Sequence, residues 1–378
     1  MLWLSTCLAA NAQASFPPAR ADLIVVGVRA DSPPFSYRSA SRGEERILKD
    51  YGGYLVEICR RVLSEMVSNG PFEGYEVVPV DVTAGDRFDL LDEGHIDMLC
   101  GPDSITLDRL ERYNASHPVF LSGITFASID TARFPRGYYC KAVIGLVEDT
   151  TAQSEGLRAI ADQDALGLYD KVLDEFLAIS AGREPSVPPS EPLASFDRLS
   201  ERVVNLAKSS TDPGGAPATP SAGHQPARGR EAMRDPSTVT APVCRSGFEV
   251  SPVVFYDHHQ QGVDDLCNAR ILYYVADFDI LKRRLRDSGC EHVMHRRTLT
   301  REAYGILFRR STTLPRSGAG LRPSIDSALY AEFNNVLLRK MQRMENILDY
   351  QFEAEFEGVE PTDELRQLFD SFKFVTDY

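Results

Sequence analysis

The chain has one tryptophan and seven histidines in 378 residues, and none of its Cys or His spacings resembles a zinc site. His258 and His259 are adjacent, and neighbours on an extended chain point to opposite faces, so they make no chelating pair. There is no Gly-x-Ser-x-Gly elbow and no Walker loop. Gly27 stands alone in the first apolar run, where a dinucleotide fingerprint needs several glycines. Basic charge is also scarce: 41 Lys and Arg against 55 Asp and Glu leave a formal net charge of −14. Nucleic acid and anionic membrane surfaces need a net basic face, so neither is expected as a partner. A local basic cleft for a small anion stays open. No run approaches the ~20 apolar residues of a membrane span. The expectation is a soluble, monomeric protein that needs no metal or cofactor.

Cysteine is sparse, with seven in the chain. The opening residues, Met1 to Ala14, resemble the end of a secretory signal with an A-x-A site at Ala12 to Ala14. Residues 1–21 are therefore set apart as signal-like, and export to an oxidising compartment is expected. Cys7 would leave with the signal, and the six that remain permit three disulfides. Cys59 on the first helix and Cys100 at the end of a strand can meet across one lobe.

A continuous apolar run at 23–28 reads as a parallel strand covered on both faces. Leu55, Ile58, Cys59, Val62, Leu63 and Met66 follow at i, i+3, i+4, i+7, i+8 and i+11, a helix packed on a sheet. Strands at 75–80 and 96–100, with a short helix at 86–93 between them, complete a doubly wound α/β lobe. An extended segment at 123–129 leaves that lobe. A second series then begins: strand 142–147, helical residues 154–179, strand 250–256, helix 262–268 and strand 271–275. The extended segment 303–308 carries the chain back, and 324–356 is helical. Residues 181–243 are rich in Pro, Gly, Ser and Ala and read as a mobile surface insertion. The fold class is thus α/β, two doubly wound lobes joined by two extended crossovers. Lobe 1 takes 22–126 and 306–378, and lobe 2 takes 127–305.

Open α/β sheets bind ligands beyond the carboxyl ends of their strands, and polar residues follow nearly every strand here. The stretch from Asp97 to Arg109 says most. Its strand stops at Gly101-Pro102 and a helix starts soon after, so free N–H groups and the Ser104 and Thr106 hydroxyls favour an anion. Arg109 adds a guanidinium fork shaped for a carboxylate. Asp277 is placed to accept from an ammonium group. Phe35 is the candidate for covering the aliphatic part of a ligand. Arg29 is a second cation, which calls for a second anion, and His259 can donate to it. Asp31, Thr150 and Thr151 stand at the same strand ends.

These residues resemble a family. Residues 25–37 with Pro33-Pro34-Phe35, the Gly52-Gly53-Tyr54 helix start, 99–109, and Arg301 to Gly305 are similar to family 3 extracellular solute-binding proteins. The likeness is to the glutamate/aspartate-binding branch of the periplasmic amino-acid receptors that serve ABC importers. It implies the type 2 periplasmic binding fold and a membrane permease as partner. It also implies Arg109 and Ser104 on an α-carboxylate, and Asp277 on the ammonium. Arg29, Thr150, Thr151 and His259 would surround an acidic side chain. Asp149 stands where the family commonly has Gly, and Pro102 and Asp103 replace small or hydroxyl residues. Two alternatives are carried forward. One is an enzyme on the same scaffold, resembling cyclohexadienyl dehydratases, with Asp277 or His259 as acid or base. The other is a ligand-sensing module for a separate signalling partner.

Overall fold

The computed structural model describes residues 22–39, 47–128, 144–163, 165–166, 170–184, 251–310, 325–343 and 346–373. The signal-like stretch lies outside them, as does the expected insertion apart from 181–184. β1 (Leu23–Arg29) is buried along its whole length, as a strand covered on both faces must be. β2 (Asp31–Ser32), β3 (Ser36–Arg38) and β4 (Tyr51–Gly52) form a small antiparallel sheet beside it. The apolar stripe of α1 (Tyr54–Ser68) is buried in one core with Ile24, Val26 and Val28. β5 (Glu76–Val82), α2 (Arg87–Asp92), β6 (Met98–Leu99), α3 (Leu107–Arg112) and β7 (Tyr113–Ala115) follow.

The chain then crosses. β8 (Phe120–Ser122) runs through Gly123 into β9 (Ile124–Ser128). The second lobe adds β10 (Ile144–Val147), a π-helical turn at Ala152–Gly156, α4 (Leu157–Asp162) and α5 (Asp170–Ser180). It continues with β11 (Val253–Tyr256), α6 (His259–Cys267), β12 (Tyr273–Asp277), α7 (Phe278–Ser288) and β13 (Val293–Met294). β14 (Glu302–Tyr304) and β15 (Leu307–Arg309) return the chain to the first sheet.

The first sheet runs β5-β1-β6-β15-β7 and the second β11-β10-β12-β9-β13. β1, β5 and β6 are parallel, as are β10, β11 and β12. β9 and β15 run against their neighbours. Each crossing strand thus leads straight into the antiparallel strand of the sheet it enters. The crossing strands β8 and β14 also pair with each other, Glu302 opposite Ser122 and Tyr304 opposite Phe120. A Cβ on Gly123 would collide with the Thr300 carbonyl, so the two crossings approach closely only because this residue has none. The expected boundary at 126 falls inside β9, all of which pairs with β12. Apolar residues stand on both sides of the crossing, so hydrophobicity carries no mark of the change of lobe.

After β15, α8 (Asp326–Met341), α9 (Ile347–Glu355) and α10 (Asp363–Ser371) bury Leu329, Phe333, Leu348, Phe352, Leu365 and Phe369 in the core that holds α1. Helix α10 goes beyond the expected helical stretch. Its apolar stripe is narrow and set in a polar segment, which hides it from periodicity. A Cys59–Cys100 disulfide joins α1 to the end of β6, and Cys267–Cys290 joins the ends of α6 and α7. The first spans 41 residues, which in the loop-entropy account is worth about 4 kcal/mol.

Candidate functional site

The turn after β6 is tied to the hinge before it reaches any ligand. Ile105 N–H donates to the Ala303 carbonyl at 2.7 Å, and Gly305 N–H to that of Asp103 at 3.2 Å. Thr106 caps α3 by accepting from the Arg109 N–H. Arg109 folds back so that Nη1 donates to the Ser104 carbonyl at 2.8 Å. Its guanidinium lies over the Phe88 ring, 4.8 Å from the centroid. Arg87 covers the same ring at 4.2 Å. It is buried and donates from Nε to Asp103 Oδ1 at 2.8 Å. Asp103 Oδ2 is buried with no hydrogen-bond partner. The Asp103 N–H is spent on the Gly101 carbonyl, so this turn offers the Asp103 side chain where the family pattern suggests a small or hydroxyl group. Burial lowers the pKa of both Arg87 and Arg109, and the Asp103 charge works against that.

The opposite wall follows β10. Asp149 has φ of 56°, a left-handed conformation that favours glycine and that Asp tolerates. Its carbonyl accepts from Arg87 Nη2 at 3.0 Å, a bond that spans the cleft. The Thr150 hydroxyl is used locally, donating to the Val147 carbonyl at 2.7 Å. Thr151 points inward and donates to Glu302 Oε2 at 2.7 Å. The Ser104 hydroxyl donates to that same oxygen. Of the three hydroxyls expected on a ligand carboxylate, Ser104 and Thr151 are therefore both on a carboxylate of the hinge strand β14.

Arg29, Asp31, His259 and Asp277 are all buried or nearly so, and each has protein partners. Arg29 donates to Asp31 through Nε at 3.0 Å and Nη2 at 2.9 Å. Burial acts to raise the Asp31 pKa, but Arg29 holds it well below the usual range. The Asp31 carbonyl accepts from Arg284 Nη2 of α7 at 2.7 Å, a second bond across the cleft. Arg284 Nε is buried without a partner. His258 Nδ1 stands 3.7 Å from the Asp31 carboxylate. His259 Nδ1 is 3.0 Å from the Tyr274 hydroxyl, and burial pushes its pKa down to about 3, so the ring is neutral. Asp277 caps α7 through Oδ1, accepting from the Asp279 and Ile280 N–H groups, and Oδ2 accepts from the Tyr304 hydroxyl. Burial, and then the charge of Asp279, hold its pKa up at about 7.

Phe35 does not line the cleft. It is fully buried among Tyr54, Phe120, Tyr304 and Phe356, all within 6.4 Å between ring centroids. A Phe after a polar turn is still an aromatic side chain, and the core of the first lobe takes it. Arg87, Asp103, Arg284 and Glu302 were not among the expected site residues. Arg87 and Arg284 sit on helices, where arginine ordinarily marks a solvated face. Glu302 lay inside a segment noted only for its family likeness.

Among the described residues, four guanidiniums act on one another and on four carboxylates, namely Arg29, Arg87, Arg109 and Arg284 with Asp31, Asp103, Asp287 and Glu302. These four cations are gathered at the cleft although the chain is strongly acidic. No helix among these residues is long and apolar enough to cross a membrane.

Comparison with known proteins agrees with the architecture. The chain is similar to the glutamate/aspartate import solute-binding protein of Salmonella typhimurium, 27% identical over 195 residues. That match takes in 48% of this chain and 59% of the relative, so it spans well under two thirds of the relative's length. A solved substrate-binding protein of an amino acid ABC transporter superposes with a TM-score of 0.50 at 12% identity, covering 89% of this chain and 99% of that one. A mutant of ArgBP from T. maritima gives 0.50 at 15% identity, covering 89% and 95%. These similarities speak to the fold, the two-lobed type 2 periplasmic binding architecture. The model of the bacterial extracellular solute-binding proteins, family 3, matches residues 24–349, and the chain belongs to that family.

Proposed function

We propose that this protein captures a polar, acidic L-amino acid between its two lobes in the periplasm and presents it, as a monomer, to the permease of an ABC importer. The observation that carries the acidic preference is Arg284. Its Nε is a buried donor with no acceptor, and it stands in the field of Arg29 and Asp31. A buried donor left unpaired costs about 1–3 kcal/mol, a cost that a carboxylate placed beside it would remove. The glutamate/aspartate relative supports the same class.

In this reading Arg109 holds the α-carboxylate, fixed by the Ser104 carbonyl and the Phe88 ring. The ammonium faces Asp277, and Asp103 Oδ2 is a second buried acceptor with capacity to spare. Arg29, Thr151 and His259 line the space toward the side chain, with Thr150 and Asp31 behind them. The lobes hinge on β8 and β14 to admit and enclose the ligand. The dehydratase-like alternative finds its acid–base candidates engaged, Asp277 as a helix cap and His259 with Tyr274. Isothermal calorimetry of the exported protein with the twenty amino acids and small dicarboxylates is the test. Tightest binding to L-glutamate or L-aspartate is expected. Heat from arginine or lysine alone would overturn the acidic preference, and silence with every compound would overturn the receptor reading. Turnover of prephenate would favour the enzyme.

A further inference from the structure

We infer that Asp103 is the residue that takes the ammonium of the captured amino acid, so that the first lobe alone reads both charges of the zwitterion. This rests on the amino-acid receptor proposed above. The turn after β6 has few donors left for an anion. Pro102 has no N–H, the Asp103 N–H goes to the Gly101 carbonyl, and the Ile105 N–H goes to that of Ala303. What the turn does offer is an acceptor. Asp103 is buried, its Oδ1 accepts from Arg87 Nε at 2.8 Å, and its Oδ2 has no partner. A carboxylate oxygen has about two acceptor sites, and a buried one left unmatched calls for a donor.

The free oxygen is on the Arg29 side of the turn. A Cβ built on Gly101 would stand 3.5 Å from Asp103 Oδ2 and 3.8 Å from Arg29 Cγ, so both flank the same face of that glycine. The nearby cations of the chain are spoken for: Arg29 is on Asp31, and Arg87 is on Asp103 Oδ1. Arg109 donates to the carbonyl of Ser104, the residue next to Asp103. A carboxylate on Arg109 and an ammonium on Asp103 are therefore held side by side, as the two groups on one α-carbon require. Asp277 has both oxygens engaged, Oδ1 by the Asp279 and Ile280 N–H groups and Oδ2 by the Tyr304 hydroxyl. The two carboxylates border the same stretch of hinge, because the Gly305 N–H donates to the Asp103 carbonyl. An ammonium lying there finds its open acceptor on Asp103. Such a contact selects amino acids over dicarboxylates of the same length.

Calorimetry of the full chain with L-glutamate and with glutarate, the same carbon chain without the ammonium, reads what the ammonium contributes. Wild type should bind L-glutamate more tightly by about 10-fold or more. Asp103→Asn keeps an oxygen for Arg87 and turns Oδ2 into an amide. It should weaken L-glutamate by about 10- to 100-fold and glutarate much less, so the ratio of the two affinities collapses. Asp277→Asn should leave that ratio nearer to wild type. If Asp103→Asn fails to fold, Asp103→Ser, with the hydroxyl common in the family pattern, gives the same comparison. Equal losses for both ligands in the Asp103 variant are the mark of a structural role and would overturn the assignment. So would a wild type that binds the two equally, or a ratio that collapses in Asp277→Asn and survives in Asp103→Asn. A wild-type chain silent with both compounds would instead overturn the acidic reading on which the assignment rests.

Discussion

Arg29 and Asp31 stand two residues apart and form a two-pronged ion pair, Nε and Nη2 of the arginine on the two oxygens of the aspartate at 3.0 and 2.9 Å. The cation expected to await a ligand is already matched by a carboxylate of its own chain. Replacing Asp31 with Asn should therefore do more than alter binding. It leaves a buried guanidinium without its charge partner, a loss of about 3–5 kcal/mol. Equilibrium urea denaturation measures it, and a change of under about 1 kcal/mol would show the pair to be no more than a surface-type contact. Because Asp31 is held below its ordinary value of 3.8, its contribution is present above that pH and is lost as pH falls below it.

Arg109 is expected to dominate ligand capture. Arg109→Ala should abolish calorimetric binding of L-glutamate while leaving the melting temperature within a few degrees of wild type, since its side chain is tied down only by the Ser104 carbonyl and the Phe88 ring. Arg109→Lys keeps the charge but loses the fork, and should retain binding weakened by about 10-fold or more. Wild-type affinity in the alanine variant would remove the clamp.

Arg284 sets the side-chain class in the proposed reading. Arg284→Gln should lower affinity for L-glutamate by about 10- to 100-fold and change that for L-glutamine much less. Competition binding with the two ligands reads the ratio directly. Equal losses for both would assign Arg284 to lobe closure through its bond to the Asp31 carbonyl.

Acid and base act in opposite directions on the buried pair Asp277 and Asp279 and on buried His259. Burial holds the pKa values of Asp277 and Asp279 at about 7 and about 6, above the ordinary 3.8, and the charge of Asp279 adds to the rise at Asp277. Between these limits the folded protein binds protons that the unfolded chain gives up, so the pair favours folding at low pH and loses that contribution as pH rises through 6 and 7. Asp277→Asn should gain on wild type between about pH 5 and pH 8, by about 1–3 kcal/mol. His259 is held down at about 3 from 6.5 by burial. Its neutral form favours folding above 6.5 and costs stability as pH falls toward 3. His259→Gln should gain on wild type between about pH 7 and pH 4, by about 1–3 kcal/mol. Urea titrations across this range give both slopes, and a slope of the wrong sign rejects the assignment.

Much of the frame could be read from residue order alone. The unbroken apolar run of β1 and the stripe on α1 are unambiguous, because a buried strand and a packed helix leave different periods. Arg109, Ser104 and Thr151 stand where strand ends suggested, and Cys59 meets Cys100. What stayed hidden is pairing. Arg29 and Asp31 are two positions apart, a spacing that places neighbours on one face of an extended chain, yet nothing local says that the carboxylate turns back on the arginine. Arg87 and Arg284 depend on how helices face a cleft, and that is set by packing across elements distant in sequence. Phe35 shows the reverse error, since a polar setting in the sequence can surround a side chain that ends in the core.

The glycine at position 123 sets how closely the two crossings can lie. β8 and β9 are one uninterrupted ribbon, half of it paired in the hinge and half in the second sheet. Of the two crossings, this one changes sheets at the single residue that joins those halves. With the Thr300 carbonyl pressed against its bare Cα, any side chain there would act as a wedge between the two crossings. The close packing of the two crossings thus rests on one missing methyl group, and a Gly123→Ala protein would have to push them apart.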